Sequence, residues 1–134
     1  MKIAFIFLFL LTLTHAQTWR VVCSKKIKIE NLKELKSFYF KKRRYSNGVK
    51  VVPLNLSFSH PARRAFMKDV LSVQRVFWQR YWDKMHFKGV DTPVVVESIE
   101  AMKMYLLKVP GSVGYLPSSM ESANFYEIGH FESK

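Results

Sequence analysis

Apolar segments with strand spacing alternate along this chain with apolar segments that have helix spacing. The helical spacing of three and four residues recurs in residues 32–39, 61–71, 74–87 and 99–106. Runs of β-branched and aromatic residues predict strands at residues 19–23, 49–56, 93–96, 113–116 and 125–128. Pro53 would confine its strand to a sheet edge or a strand end. This order of elements predicts an α/β domain with helices packed on a mixed sheet.

The first sixteen residues have the pattern of a cleavable signal peptide. Lys2 supplies a positive charge, residues 3–13 form an apolar run, and Thr14 and Ala16 place small side chains at the two positions that signal peptidase reads. The apolar run is shorter than the ~20 residues that a membrane-spanning helix needs. An uncleaved membrane anchor is the less favoured alternative, because no basic stop-transfer cluster follows directly. We therefore expect residues 1–16 to be a signal peptide.

The predicted mature chain, residues 17–134, has the length of a single domain. Removing 16 of the 134 residues leaves 118, which suffices for one hydrophobic core. Cys23 is the single cysteine of the sequence, so packing rather than an intramolecular disulfide must hold the fold. A hydrophobic content of 49% argues against intrinsic disorder. We expect one periplasmic or secreted domain with no stable membrane span after cleavage.

Positive charge is the main clue to the partners of this chain. The formal net charge is +12, and it becomes +11 when Lys2 leaves with the signal peptide. Such a surface attracts phosphate-like solutes, anionic lipids and acidic polymers. Because the chain is predicted to be exported, we do not expect it to bind nucleic acid. The densest basic run, residues 41–44, precedes a turn-forming segment and is interpreted first as a solvated loop.

The helix predicted at residues 74–87 carries an aromatic stripe that has two interpretations. Phe77, Trp78 and Trp82 belong to adjoining lines of this helix. A buried stripe is favoured, because a domain of this size needs a large apolar helix to close its interior. The alternative is a membrane-surface helix whose basic residues, such as Arg80, face lipid head groups.

Motifs of catalysis or cofactor binding are missing from the sequence. There is no phosphate-binding loop, no dinucleotide fingerprint and no Cys–His pairing with catalytic spacing. His60, His86 and His130 lack the spacing of metal ligands. We therefore expect a binding protein that is not an enzyme and that uses no cofactor and no metal.

Several blocks of residues carry a more specific signal than periodicity does. They are residues 32–41, 47–56, 59–66, 81–82, 87–89 and 109–115. The last block, Val-Pro-Gly-Ser-Val-Gly-Tyr, is the most specific of the set. Together the blocks resemble the short periplasmic proteins related to phosphate ABC transporter substrate-binding proteins. The resemblance implies a type 2 periplasmic-binding-protein-like fold, present as a single lobe.

The resemblance also implies an oxyanion site at the start of the helix that begins near Pro61. Hydroxyl groups and the backbone N–H groups of a helix start favour phosphate or sulfate. The candidate ligand-binding residues are Ser57, Ser59, His60, Arg63 and Arg64. The serines would supply hydroxyls, and Arg63 would supply a bidentate guanidinium. A helix cap for Ser59 and a surface charge for Arg63 are the alternative roles, and His60 is also placed to cap.

Two departures from the family pattern concern transport. Full-length members carry a glycine-containing hydroxyl motif at this helix start, where this chain has Pro61, which lacks an N–H donor. The predicted mature chain also accounts for little more than one of the two lobes that close around a solute.

Two functions therefore remain open at the level of sequence. The favoured one is a solute-binding-like protein that binds inorganic phosphate or another oxyanion, with a transporter or a periplasmic protein as partner. The alternative is a non-transport interaction module whose basic surface around residues 41–44 docks on an acidic protein, an anionic lipid or a cell-wall polymer.

Cleavage after Ala16 predicts that the exported protein begins at Gln17. Intact-mass spectrometry of the secreted chain should give a mass that lacks residues 1–16. A chain that retains Met1 would contradict this prediction.

Overall fold

The computed structural model describes residues 16–134. The signal-peptide prediction falls on residues that, apart from Ala16, lie outside the described residues, so it stays a prediction. Within the described range, no helix combines the length and the apolar character needed to cross a bilayer.

A mixed five-stranded sheet is the centre of the domain, and a short hairpin is paired separately from it. The strands are β1 (Gln17–Ser24), β2 (Tyr45–Ser46), β3 (Val49–Lys50), β4 (Val52–Asn55), β5 (Val94–Val95), β6 (Ser112–Pro117) and β7 (Phe125–Ser133). The sheet has the order β5-β4-β6-β1-β7, and β2 pairs with β3 in the hairpin. β4 is parallel to β5 and β6, whereas β1 is antiparallel to β6 and β7. The predicted α/β class is therefore confirmed.

The helices follow the order that apolar periodicity predicts. They are α1 (Leu32–Tyr39), α2 (Pro61–Ala65) with a π-helical continuation (Phe66–Val70), α3 (Arg75–Phe87) and α4 (Ile99–Lys108). The side chains of Asn31, His60 and Ser98 cap α1, α2 and α4 by accepting backbone N–H hydrogen bonds. These helices therefore begin where a polar side chain precedes an apolar stripe.

Helices cover both faces of the sheet. Neighbouring residues of a strand point to opposite faces. In β6, Tyr115 stacks on Phe66 of the π-helical turn, whereas Gly114 lies against Met102 of α4. The first face is filled by an aromatic cluster whose ring centroids are 4.5 to 6.3 Å apart: Trp19, Phe66, Tyr115 and Phe131. This cluster fixes α2, and with it the loop before α2, against β1, β6 and β7.

Pro53 lies near the start of an interior strand, so of the two predicted positions the strand end is confirmed and the sheet edge is not. β4 lies between β5 and β6, but β5 pairs only with Leu54 and Asn55. Neighbouring residues of a strand direct their N–H groups to opposite sides, and Val52 N donates to Gly111 O on the β6 side. An N–H group at Pro53 would therefore face the β5 side at a position before β5 begins, where there is no strand residue to accept it. No hydrogen bond of the sheet is lost.

Strand β7 is longer than predicted. It continues to Ser133 and pairs with β1 along the whole of β1. Only Phe125, Phe131 and Ser133 are buried in it, because it is an edge strand. The polar residues among them obscured the strand pattern in the sequence.

The aromatic stripe of α3 is only partly buried. Trp78 and Trp82 are each 3% exposed, whereas Phe77 is 59% and Phe87 is 97% exposed. The favoured interpretation as core is therefore confirmed for the two tryptophans and is wrong for Phe77. The buried seam of α3 is one line of side chains rather than two.

The segments that lead into β4 and β6 approach each other closely through their backbones. Gly111 has a φ of +86°, and a Cβ atom there would lie 2.2 Å from the Lys50 carbonyl oxygen. Val52 N donates to Gly111 O at 2.9 Å. Glycine is therefore required in the turn of the block at residues 109–115.

We expect Gly111→Ala to lower the free energy of unfolding by more than about 3 kcal/mol, because the added methyl group meets a backbone oxygen in a left-handed conformation. Gly48→Ala is the matched control: its φ is +73°, but nothing lies within 4 Å of the added Cβ. The control should cost about 1 kcal/mol. Urea unfolding followed by tryptophan fluorescence measures both values, and equal losses would contradict the packing argument.

Candidate functional site

The loop at residues 56–60 joins the carboxyl end of β4 to the start of α2. Ser57 and Ser59 are exposed, and their Oγ atoms lie 3.1 Å apart. Ser59 N donates to Ser57 Oγ at 3.3 Å, and His60 N donates to Ser57 O at 3.0 Å. These bonds fold the loop into a turn that carries two adjacent, solvent-accessible hydroxyl groups.

Two arginines of α2 hold this loop by its carbonyl groups. Arg63 is 2% exposed, and its Nη1 donates to Leu56 O at 2.8 Å. Arg64 is exposed, and its Nη1 donates to Phe58 O and Ser59 O, each at 2.9 Å. One guanidinium thus supports the loop from the buried side and the other from the solvent side.

The ring of Phe58 carries two guanidinium groups. The Cζ atoms of Arg63 and Arg75 lie 3.9 Å and 4.3 Å from the ring centroid. Burial lowers the pKa of Arg63, and the positive charge of Arg75 acts in the same direction. Sequence reasoning missed Arg75. No local pattern indicates that the first residue of α3 contacts Phe58 in the loop before α2.

These arginines have no carboxylate partner in the part of the chain that the structure describes. None of the salt bridges within residues 16–134 involves Arg63, Arg64 or Arg75. A buried charge is unfavourable unless it is paired, and neighbouring like charges repel. The loop is therefore a place where an anion would be stabilised by charges that the protein itself does not neutralise.

The start of α2 does not supply the backbone donors that sequence reasoning expected. Pro61 has no N–H group, and Ala62 N donates to His60 Nδ1 at 3.0 Å. The N–H groups of Arg63 and Arg64 donate to His60 O. The expectation that these N–H groups hold an oxyanion is therefore wrong, because each of them is used within the helix cap. Side chains must supply the donors instead.

His60 has a defined hydrogen-bonding role. Its Nδ1 accepts a hydrogen bond, so the neutral ring carries its proton on Nε2. Burial lowers the pKa of His60, and the charge of Arg64 lowers it further. The neutral ring is thus favoured, and Nε2 is a donor at the same helix start.

A buried polar network lies beneath the loop. Tyr115 OH donates to Asn55 Oδ1 at 3.2 Å and accepts from Leu56 N at 3.0 Å. Burial raises the pKa of Tyr115, so the phenol stays protonated. Asn55 Nδ2 and Arg63 Nε are buried donors without a hydrogen-bond partner among residues 16–134. Sequence reasoning missed Asn55, although a polar residue inside an apolar strand was a signal for it.

The structure brings the five predicted residues together around one loop but gives them different surroundings. Ser57, Ser59 and Arg64 are exposed, His60 caps α2, and Arg63 is buried. What these residues bind stays a prediction. Within residues 16–134, no three His, Cys, Asp or Glu side chains are grouped so that they could hold a metal ion.

Comparisons with known proteins give a likeness of fold without a likeness of sequence. No family model matches the chain, and no curated protein is significantly similar to it. A Clostridium perfringens protein that was crystallised with bound phosphate, and that is classed with phosphate ABC transporter substrate-binding proteins, has a TM-score of 0.65 and 12% identity. An ABC-type phosphate transport receptor from Vibrio cholerae has a TM-score of 0.62 and 15% identity.

The matched region is one part of each of those proteins. It covers 84% of this chain but 44% of the Clostridium perfringens chain and 46% of the Vibrio cholerae chain. This chain therefore spans less than half the length of either protein. The fold of residues 16–134 is that of a periplasmic-binding-protein-like lobe, of the kind found in substrate-binding proteins of phosphate transporters.

Proposed function

We propose that this protein is an exported, solute-binding-like protein that binds phosphate or a related oxyanion at the loop 56–60. The observation that carries the proposal is the convergence of Arg63, Arg64 and Arg75 on that loop without a carboxylate partner among residues 16–134. The fold supports the same class of function, since one matched protein was crystallised with phosphate and the other is a phosphate transport receptor.

Each candidate residue has a separate role in the proposed site. The hydroxyls of Ser57 and Ser59 donate to oxygens of the anion. Arg64 holds the loop through Nη1 alone, so its other N–H groups remain for the anion. Arg63 acts from below by holding Leu56 O and supporting the ring of Phe58. His60 adds the donor at Nε2.

Arg75 completes the set from a different helix. Its guanidinium lies over the ring of Phe58, which attracts a cation without neutralising it. The charge therefore stays available to a ligand at the solvent side of the loop. An anion there also offsets the repulsion between Arg75 and Arg63.

An anion on a single lobe stays solvated on one side. Screening by salt and the cost of desolvation then keep the affinity modest. Tight capture and delivery would need a second surface, and a transporter component or a periplasmic protein is the partner that we propose for it.

The alternative function, docking on an acidic partner, a lipid or a cell-wall polymer, would use residues 41–44. These residues precede β4, whereas the loop 56–60 follows it. Arg43 already forms a 2.7 Å salt bridge with Glu34, so one of the four basic residues of the run is neutralised within the protein. The loop is therefore the better supported site for an oxyanion.

We expect calorimetric titration of the purified protein with sodium phosphate to give saturable binding that weakens as salt is added. Ser57→Ala with Ser59→Ala should weaken the affinity at least about tenfold, because two hydrogen bonds to a charged group are lost. Sulfate titration tests whether the site accepts another oxyanion. The absence of saturable binding of either anion would contradict the proposal.

A pair of arginines on α3 provides the matched control. Arg75→Gln should weaken phosphate binding severalfold, because Arg75 lies over Phe58. Arg80→Gln removes the same charge from an exposed position of the same helix and should change the affinity less than about twofold. Equal losses in the two variants would mean that net charge, rather than the loop, attracts the anion.

A further inference from the structure

A cavity of about 340 Å³ lies at the amino end of β4, on the side of the strand away from the loop 56–60. We call it the basic cavity. Four cationic residues, Lys41, Arg43, Arg44 and Lys50, line it together with several apolar ones, among them Phe38, Pro53 and Val94. Its volume is at the lower end of the range in which small-molecule sites fall.

The fold brings the cationic residues together from separate segments. Arg44 directly precedes β2, and Lys50 is the last residue of β3, which pairs with β2. Val51 N donates to Arg44 O at 2.8 Å. Lys41 follows α1, and its Nζ donates to Asp91 O at 2.6 Å across the cavity wall. The bond from Lys41 to Asp91 therefore joins two segments of the cavity wall that are distant in sequence.

The positive charge of the cavity is largely unpaired. Of its four cations, Arg43 pairs with Glu34, whereas no salt bridge among the described residues involves Lys41, Arg44 or Lys50. Burial lowers the pKa of Lys41; Asp91 opposes this effect, and the charges of Lys50 and Arg44 add to it. Asp91 is the single acidic residue in the lining.

Lys41 occupies a backbone position that glycine usually fills. Its φ is 53°, in the left-handed region, directly after the C-cap of α1. Lys41 N donates to Phe38 O at 3.1 Å, and Lys42 N donates to Ser37 O at 2.9 Å, the pattern of a Schellman motif. A lysine there is less favourable than glycine for the fold, and its ammonium group is directed to the cavity wall.

We infer that the basic cavity is a second binding site, for a small organic phosphate monoester. The phosphate group would be held by Lys41, Arg44 and Lys50, since guanidinium and ammonium groups suit a dianion. The apolar part of the molecule would lie on Phe38, Pro53 and Val94. Inorganic phosphate would use the cations but leave the apolar floor uncovered.

Phenyl phosphate is the probe that tests this site. At pH 8 we expect it to bind the purified protein with saturable heat, and Arg44→Gln with Lys50→Gln should weaken its affinity at least about tenfold. Arg80→Gln with Lys84→Gln is the matched control, since it removes one arginine and one lysine from exposed positions outside the cavity. The control should change the affinity less than about twofold.

Lys41→Gly provides a variant in which loss of the fold cannot explain loss of binding. Glycine suits the left-handed backbone, so the midpoint of thermal unfolding should stay the same or rise. Binding of phenyl phosphate should nevertheless weaken. Unchanged binding in this variant would overturn the role given to Lys41.

Two-dimensional NMR of amide groups separates this site from the loop 56–60. Phenyl phosphate should shift the amides of residues 89–92, and these shifts should persist in Ser57→Ala with Ser59→Ala. Shifts confined to residues 57–60 would overturn the inference while leaving the proposed function intact. Absence of saturable binding of phenyl phosphate would also overturn it. So would equal losses of affinity in Arg44→Gln with Lys50→Gln and in Arg80→Gln with Lys84→Gln.

Discussion

The parallel pairing of β4 with β6 is the constraint on which the rest of the structure depends. It begins at one close contact, where Gly111 lies against the backbone of Lys50, and it fixes the direction of a strand of only four residues. The chain that enters β4 forms the basic cavity, and the chain that leaves it forms the loop 56–60. The two candidate sites therefore lie at opposite ends of the same short strand.

Aromatic and backbone groups hold the cations of the loop and one cation of the cavity. At the loop, the guanidinium groups of Arg63 and Arg75 lie over Phe58, and carbonyl oxygens accept from Arg63 and Arg64. At the cavity, Lys41 donates to a carbonyl oxygen. Such partners fix the position of a cation but leave its net charge in place. Part of the excess of positive charge in the sequence thereby stays available at these two places.

Local signals predicted much of the fold and part of the site. Periodicity located the helices, and His60 was placed to cap the helix that begins at Pro61. The same signals were insufficient where neighbouring elements decide. They left Pro53 at either a sheet edge or a strand end, and they predicted burial of Phe77, which is exposed although it adjoins the buried Trp78. Periodicity reports which residues share a face, but it does not report how much of that face another element covers.

The sequence by itself determined the class of the domain, its strong positive charge and the segment that holds the candidate oxyanion residues. Tertiary structure alone decided that Arg63 is buried, that the N–H groups at the start of α2 are already used, and that Arg75 joins the loop from another helix. The reason is that burial and pairing depend on contacts between segments far apart in the chain. No pattern within one segment contains those contacts.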